Sequence, residues 1–186
     1  MSNENMRMKE LYTKEVLPKL VEKFQYKNNL EAPKLQKVVL NVGFGRHSKE
    51  KDYIKNVENT LSLISGQKPV LTKARMSVSS FKVREGMTIG AKVTLRGEKM
   101  YDFLDKLINV TFPRVRDFRG ITNKGIDRTG NITIGFKENS AFPEVRVEEL
   151  EKLHGLEVCI STSAKTRDEG LELFTLLGFP FVKDNK

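Results

Sequence analysis

Residues 88–110, TIGAKVTLRGEKMYDFLDKLINV, decide the fold, because the spacing of their apolar residues changes part-way along. Ile89, Ala91, Val93 and Leu95 alternate with more polar neighbours, the period of a half-buried strand, so Lys92, Thr94 and Arg96 share one sheet face. After Gly97 the apolar positions become Tyr101, Leu104, Leu107 and Ile108, the spacing of a helix over 98–110, and Pro113 stops any continuation. Downstream, 131–136 and 156–161 read as strands, and Thr166 with Glu169 has the spacing of a capping box opening a helix that ends at Gly178. Upstream, the β-branched run Val38, Val39, Leu40, Val42 before Gly43 and Gly45 reads as a central strand. Ile54, Val57, Leu61 and Ile64 predict a helix over 51–65, with Gly66 where a left-handed cap belongs. Segments 69–72 and 81–84 read as short strands, and 9–28 as an amphipathic lead helix that Pro18 bends or starts. Strands and helices intermix without a regular βαβ beat. The expected architecture is α+β: a single domain with an antiparallel or mixed sheet, helices packed on one face and the other face free for a ligand.

A chain of 186 residues with 38% hydrophobic content has enough apolar material for one core. Its longest apolar stretch, 173–182, is broken by Thr175, Gly178 and Pro180 and falls short of the ~20 residues that span a bilayer, so no membrane segment is expected. The opening MSNENMRMKE lacks the apolar run of a secretory leader, and Cys159 has no partner for an intrachain disulfide; both point to a reducing, cytosolic setting. The formal charge of +9 is unevenly spread: residues 1–66 carry +4, 67–137 carry +9 and 138–186 carry −4. Such clustering suits a polyanion such as RNA. Solubility alone is the plainer reading of a basic surface.

Few residues suggest chemistry. Gly43-Phe44-Gly45 after a strand resembles the start of a dinucleotide fingerprint, but Ser48 stands in the third glycine's place, and a simple strand-ending turn fits better. Two histidines and one cysteine do not furnish a typical zinc set. His47 and His154 are expected at the surface, Cys159 in the core, and Asp102 and Asp105 on a solvated helix face. Neither enzyme activity, metal nor cofactor is expected. The region 67–99 differs, with eight Lys or Arg against Glu85 and Glu98. Its centre, LTKARMSVSSFKVREGM at 71–87, mixes cations with small hydroxyl and glycine residues, a composition suited to phosphates and 2′-hydroxyls. It reads as a long, slim, mobile basic loop over about 73–87.

At these residues the sequence resembles a known family. ISGQKPVLTKARMSVSSFKVREGMTIGAKVTLRGEKMYDFLDKLINV at 64–110, followed by PRVRDFRG, is similar to the bacterial large-subunit ribosomal protein number five. KLQKVVLNVG before it, and GNITIGFKEN, FPEV, GLEV and TSAKTRDEG after it, extend the likeness over nearly the whole chain, 1–186, as one RNA-binding domain. The resemblance implies a structural component of the central protuberance in the cytoplasmic ribosome that binds 5S rRNA and contacts 23S rRNA, the peptidyl-site tRNA and neighbouring proteins. It also implies a bridge to small-subunit ribosomal protein thirteen. Carried onto this chain, 5S rRNA contacts fall on Asn41, Gln67, Lys68, Thr94 and Arg96, and tRNA contacts on Lys73, Arg75, Ser77, Ser79, Lys82 and Arg84. Arg114, Arg116 and Arg119 match an arginine segment for which rRNA contact competes with a buried ion pair to Asp117. Ile126 and Ile132 stand where the family carries aromatics, and Asn139-Ser140-Ala141 where it carries a more apolar run, which puts local packing in question. A free RNA chaperone or translation regulator of the same fold is the alternative reading.

Overall fold

A computed structural model describes residues 8–145 and 153–182. Residues 1–7, the start of the segment that lacks a leader's apolar run, lie outside the described residues, as do 146–152 and 183–186 of the acidic segment. Five strands, β1 Leu35–Gly43, β2 Val70–Lys73, β3 Thr88–Leu95, β4 Ile132–Phe136 and β5 Leu156–Thr162, form one sheet in the order β2-β3-β1-β5-β4. Neighbours run antiparallel. β2 opposes β3 with Val70 across from Lys92 and Thr72 across from Gly90. Phe44 N–H, past the end of β1, donates to Ile89 O, while Arg96, past the end of β3, reaches Gln36 O near the start of β1. Between β1 and β5, Asn41 meets Glu157 and Ser163 N–H donates to Lys34 O; between β4 and β5, Thr133 meets Cys159. The α+β expectation holds, with four helices among the described residues: α1 over 8–24, α2 Lys51–Ser65, α3 over 98–114 and α4 Arg167–Leu176. Among the described residues no helix is long and apolar enough to cross a membrane.

The chain divides into two compact units. The first comprises 1–38, 95–134 and 159–186 and holds α1, α3 and α4, with α1 packed on both other helices. Leu20, Leu104, Leu107, Leu173 and Phe174 are fully buried here. The predicted capping box is present: Thr166 Oγ1 accepts from Glu169 N–H, and the Glu169 carboxylate accepts from the Thr166 N–H in return. That carboxylate also accepts from Tyr26 Oη at 2.6 Å. Burial pushes its pKa up, but these bonds and the Lys165 backbone N–H outweigh it and hold Glu169 below the usual carboxylate range. Gly170 faces Gly130 backbone to backbone: a Cβ on Gly130 would meet the Ala164 Cβ at 2.6 Å, and one on Gly170 would overlap the Gly130 backbone.

Both prolines inside helices are accommodated in one way. α1 consists of Met8–Leu11, a π-helical turn Tyr12–Val16 and Leu17–Phe24, and Leu17 N–H donates to Tyr12 O. α3 consists of Glu98–Lys106, a π turn Leu107–Thr111 and Phe112–Arg114, and Phe112 N–H donates to Leu107 O. Each wide turn directly precedes an X-Pro pair, Leu17-Pro18 or Phe112-Pro113, opening the coil where the ring would strike the carbonyl four residues back. Pro18 therefore neither starts nor ends the lead helix, which stops at Phe24 rather than residue 28, and α3 runs past Pro113 to Arg114.

The second unit comprises 39–94 and 135–158. α2 buries Val57, Leu61 and Ile64 and ends in the predicted left-handed Gly66 at φ 62°. Leu40, Val42, Ala91, Val93, Leu156 and Val158 supply the strand side of this core, and Phe136 meets Phe142 edge to face at 5.4 Å. Two expectations fail here. Residues 81–84 are not a strand: Ser79–Phe81 is a 3-10 turn, Lys82 is left-handed at φ 52°, and only Val78 and Val83 pair. His154 is buried, with 4% of its surface exposed, because it enters β5 just ahead of Leu156. Burial pushes its imidazole pKa down, against the upward pull of a contact to Gly155 O, and its Nε2 has no hydrogen-bond partner among the described residues.

Candidate nucleic-acid interface

Alternation along the strands sets which side chains face out. In the second unit, β1 leaves Val39 and Asn41 half-buried between buried Leu40 and Val42, and β3 leaves Lys92 exposed and Thr94 half-buried between buried Ala91, Val93 and Leu95. Asn41 and Thr94 thus occupy the open face, as the sequence implied. Asn41 Nδ2 donates to Glu157 Oε2 on β5 at 3.4 Å. Gln67 comes directly after the Gly66 cap; its N–H donates to Ser65 Oγ at 3.2 Å, and its Nε2 donates to Thr94 O at 3.3 Å. Lys68 is exposed beside it. The structure therefore joins Gln67 to Thr94 and places Asn41 on the same strand face. Arg96, in the first unit, is exposed with its guanidinium 3.5 Å from Gln36 O.

The basic loop between β2 and β3 has a backbone framework. A register shift between Thr72 and Lys73 ends the ladder. Beyond it, Ala74 N–H donates to Met87 O at 2.8 Å, Gly86 N–H to Ala74 O at 3.0 Å, and Val78 and Val83 exchange bonds at 2.9 and 3.2 Å. Ser77 Oγ accepts from Glu85 N–H at 2.9 Å, so this hydroxyl is partly committed to the loop's own shape. Lys73, Arg75, Ser79, Lys82 and Arg84 are exposed, and none of the four cations has an acidic partner among the described residues. Phe81 and Met76, which sequence reasoning missed, are 77% and 73% exposed. Their place among the cations and hydroxyl residues of 71–87 was the signal available for them.

Two family models divide the chain: that of ribosomal protein L5 matches residues 28–84, and that of the same family's C-terminal region matches 88–181. The large ribosomal subunit protein uL5 of Lacticaseibacillus casei is 52% identical over 177 residues, covering 95% of this chain and 98% of that protein. Those of Syntrophomonas wolfei and Halothermothrix orenii are 51% and 52% identical, covering 94% and 92% of this chain and 98% and 96% of theirs. The chain belongs to the ribosomal protein L5 family. It is of the bacterial uL5 type, a structural, non-enzymatic protein of an RNA-binding ribosomal family.

The L5-family chain settles several smaller readings. Arg114, Arg116 and Arg119 are all exposed, and Arg116 Nε lies 4.0 Å from Asp117 with both side chains about nine-tenths exposed or more (97% and 89%), so the buried ion pair is excluded. Asp117 instead takes a left-handed backbone at φ 53°. After β1, Gly45–His47 is a 3-10 turn and α2 begins only at Lys51, so the glycines do not open a helix as a dinucleotide site needs. His47 is exposed as expected, stacked on Tyr53 at 4.6 Å. Cys159 is not a core residue of this L5-family chain: Leu156, Val158 and Ile160 are buried, and Cys159 lies half-buried on the alternate face with Glu157, its Sγ 3.6 Å from Thr133 Oγ1. At the departures from the family pattern, Ile126 and Ile132 are buried and paired, whereas Asn139 is buried with an Oδ1 that has no partner among the described residues.

Proposed function

We propose that the chain anchors 5S rRNA in the central protuberance of the large subunit through Asn41, Gln67, Lys68, Thr94 and Arg96, with 23S rRNA as a second RNA partner. Asn41 and Thr94 on the open strand face, with Gln67 hydrogen-bonded to Thr94, are the observation that carries this reading: short polar side chains on a rigid sheet suit shape-specific contact to folded RNA. The basic loop contacts the peptidyl-site tRNA through Lys73, Arg75, Ser77, Ser79, Lys82 and Arg84, where unpaired cations track phosphates without reading sequence. Exposed Arg114, Arg116 and Arg119 add rRNA contacts. The net negative charge of 138–186 suits a bridge to small-subunit ribosomal protein thirteen across the subunit boundary. The chain acts by binding, not by making or breaking bonds.

The test is the affinity of the purified chain for 5S rRNA against an equal-length tRNA transcript, titrated over several salt concentrations. Preference for 5S rRNA that survives rising salt supports a fitted site; equal affinities that collapse together leave only a polyanion binder and overturn the assignment of Asn41, Gln67 and Thr94.

A further inference from the structure

Both carboxamides of the patch are held by their amino ends. Asn41 Nδ2 donates to the Glu157 carboxylate and Gln67 Nε2 to the Thr94 carbonyl, acceptors that bond only the amino end of an amide, so the flip of both groups is fixed by chemistry. Each amide then turns its carbonyl oxygen away from its anchor. Asn41 Oδ1 is not a buried orphan, Gln67 is exposed, and neither oxygen has a partner among the described residues. Glu157, exposed on the same face, adds a further acceptor and a negative charge where a phosphate would be repelled. A face assembled this way offers acceptors, although the protein as a whole is basic.

We propose that the Asn41–Gln67 patch recognises hydrogen-bond donors on RNA, ribose 2′-hydroxyls and the imino or amino groups of unpaired bases, and that Glu157 is the positioning residue that holds the Asn41 amide in its acceptor-outward orientation. The inference rests on the 5S rRNA reading above and specifies what this site takes from that RNA. Phosphates are left to the exposed cations Lys68, Arg96 and Lys92, the last on the same strand face as Thr94, and to the loop. Since 2′-hydroxyl donors release no counterions, this part of the affinity is insensitive to salt and discriminates against DNA.

Binding of full-length Glu157→Gln and Glu157→Asp chains to 5S rRNA and to a tRNA transcript, at low and high salt, tests the positioning role. Replacing the carboxylate by an amide lets Asn41 turn over, so Glu157→Gln is expected to weaken 5S rRNA binding about three- to ten-fold, more visibly at high salt, and to leave tRNA binding unchanged. Glu157→Asp restores a carboxylate and most of the affinity. Equal or tighter binding by Glu157→Gln would show that Glu157 is only an unfavourable charge and would overturn the proposal. A second measurement needs no variant: the natural chain should bind a 5S transcript bearing 2′-fluoro groups, which accept but do not donate, about ten-fold more weakly, with folding of that transcript checked by melting. Undiminished binding overturns the donor-reading role. If the natural chain shows no preference for unmodified 5S rRNA over tRNA, the underlying function fails instead, so the two failures are distinguishable.

Discussion

Replacing Asn41 by Ala is expected to weaken 5S rRNA binding by about 1–3 kcal/mol, since it strips the open face of a hydrogen-bonding group and leaves the Glu157 carboxylate unpaired beside the RNA. Unchanged affinity in a filter-binding titration counts against that face. His154 gives a stability prediction. Its folded pKa is depressed, so the unfolded chain takes up a proton below its ordinary value of about 6.5 while the folded one resists. The contribution is complete above that pH and lost below it, and the melting temperature should fall between pH 7 and 5, less steeply in His154→Leu. Asp127 and Glu169, both held below the usual carboxylate range, are also stabilising above their unfolded pKa, but lose that effect only as pH falls through about 4, which separates the windows. A slope that His154→Leu leaves unaltered sinks the assignment. The misplacement of Cys159 and His154 from sequence has one origin: apolar character decided their side, whereas strand parity does. Leu156, Val158 and Ile160 claim the inner face, which forces Glu157 and Cys159 outward.

At the scale of elements, α4 approaches the turn before β4 so closely that only glycine fits. Gly170→Ala should therefore cost about 1–3 kcal/mol in thermal unfolding, because the added methyl meets Gly130 backbone rather than a side chain that could swing away. Thr166→Ala, which loses the cap alone, should cost about 1 kcal/mol; a larger loss than for Gly170→Ala would mean the glycine contact yields. The capping box and the Gly66 cap were legible because each is a local pattern with one geometric solution. The π turns were not, since they depend on how a continuous helix absorbs a proline from the turns on both sides. Residues 81–84 misled for a related reason: Val83 pairs back to Val78 across five residues, a closure that composition does not encode.

Over the whole molecule, charge and hydrogen bonding divide the surface. The excess of +9 in residues 67–137 was visible as a count, and the loop within it carries cations that lack acidic partners among the described residues. What a count cannot carry is direction: which end of the Asn41 and Gln67 amides is held emerges only once their anchors are in place. Lys73→Ala with Arg75→Ala should lower tRNA retention on assembled ribosomes while sparing 5S rRNA binding, because Lys73, the last residue of β2, and Arg75 just past it stand at the Thr88 end of β3 and not at its Thr94 end. Parallel loss of both activities would refute the division of labour.

The π turn in α1 also bears on how the chain tolerates a change of length. An i to i+5 turn holds one residue more than an α turn, and that extra residue brings Met8 and Val16, both buried, closer to one line than the roughly 80° that eight positions give in a plain α-helix. Removing Lys14 together with Pro18→Ala should convert this stretch to plain α-helix with Met8, Val16 and Leu20 still facing inward, leaving helical circular dichroism and melting nearly intact. The same one-residue deletion inside α2, which has no such turn, rotates every later side chain by about 100° and should unfold its unit. The prolines thus mark the two places among the described residues, 12–16 and 107–111, where a helix carries a spare residue.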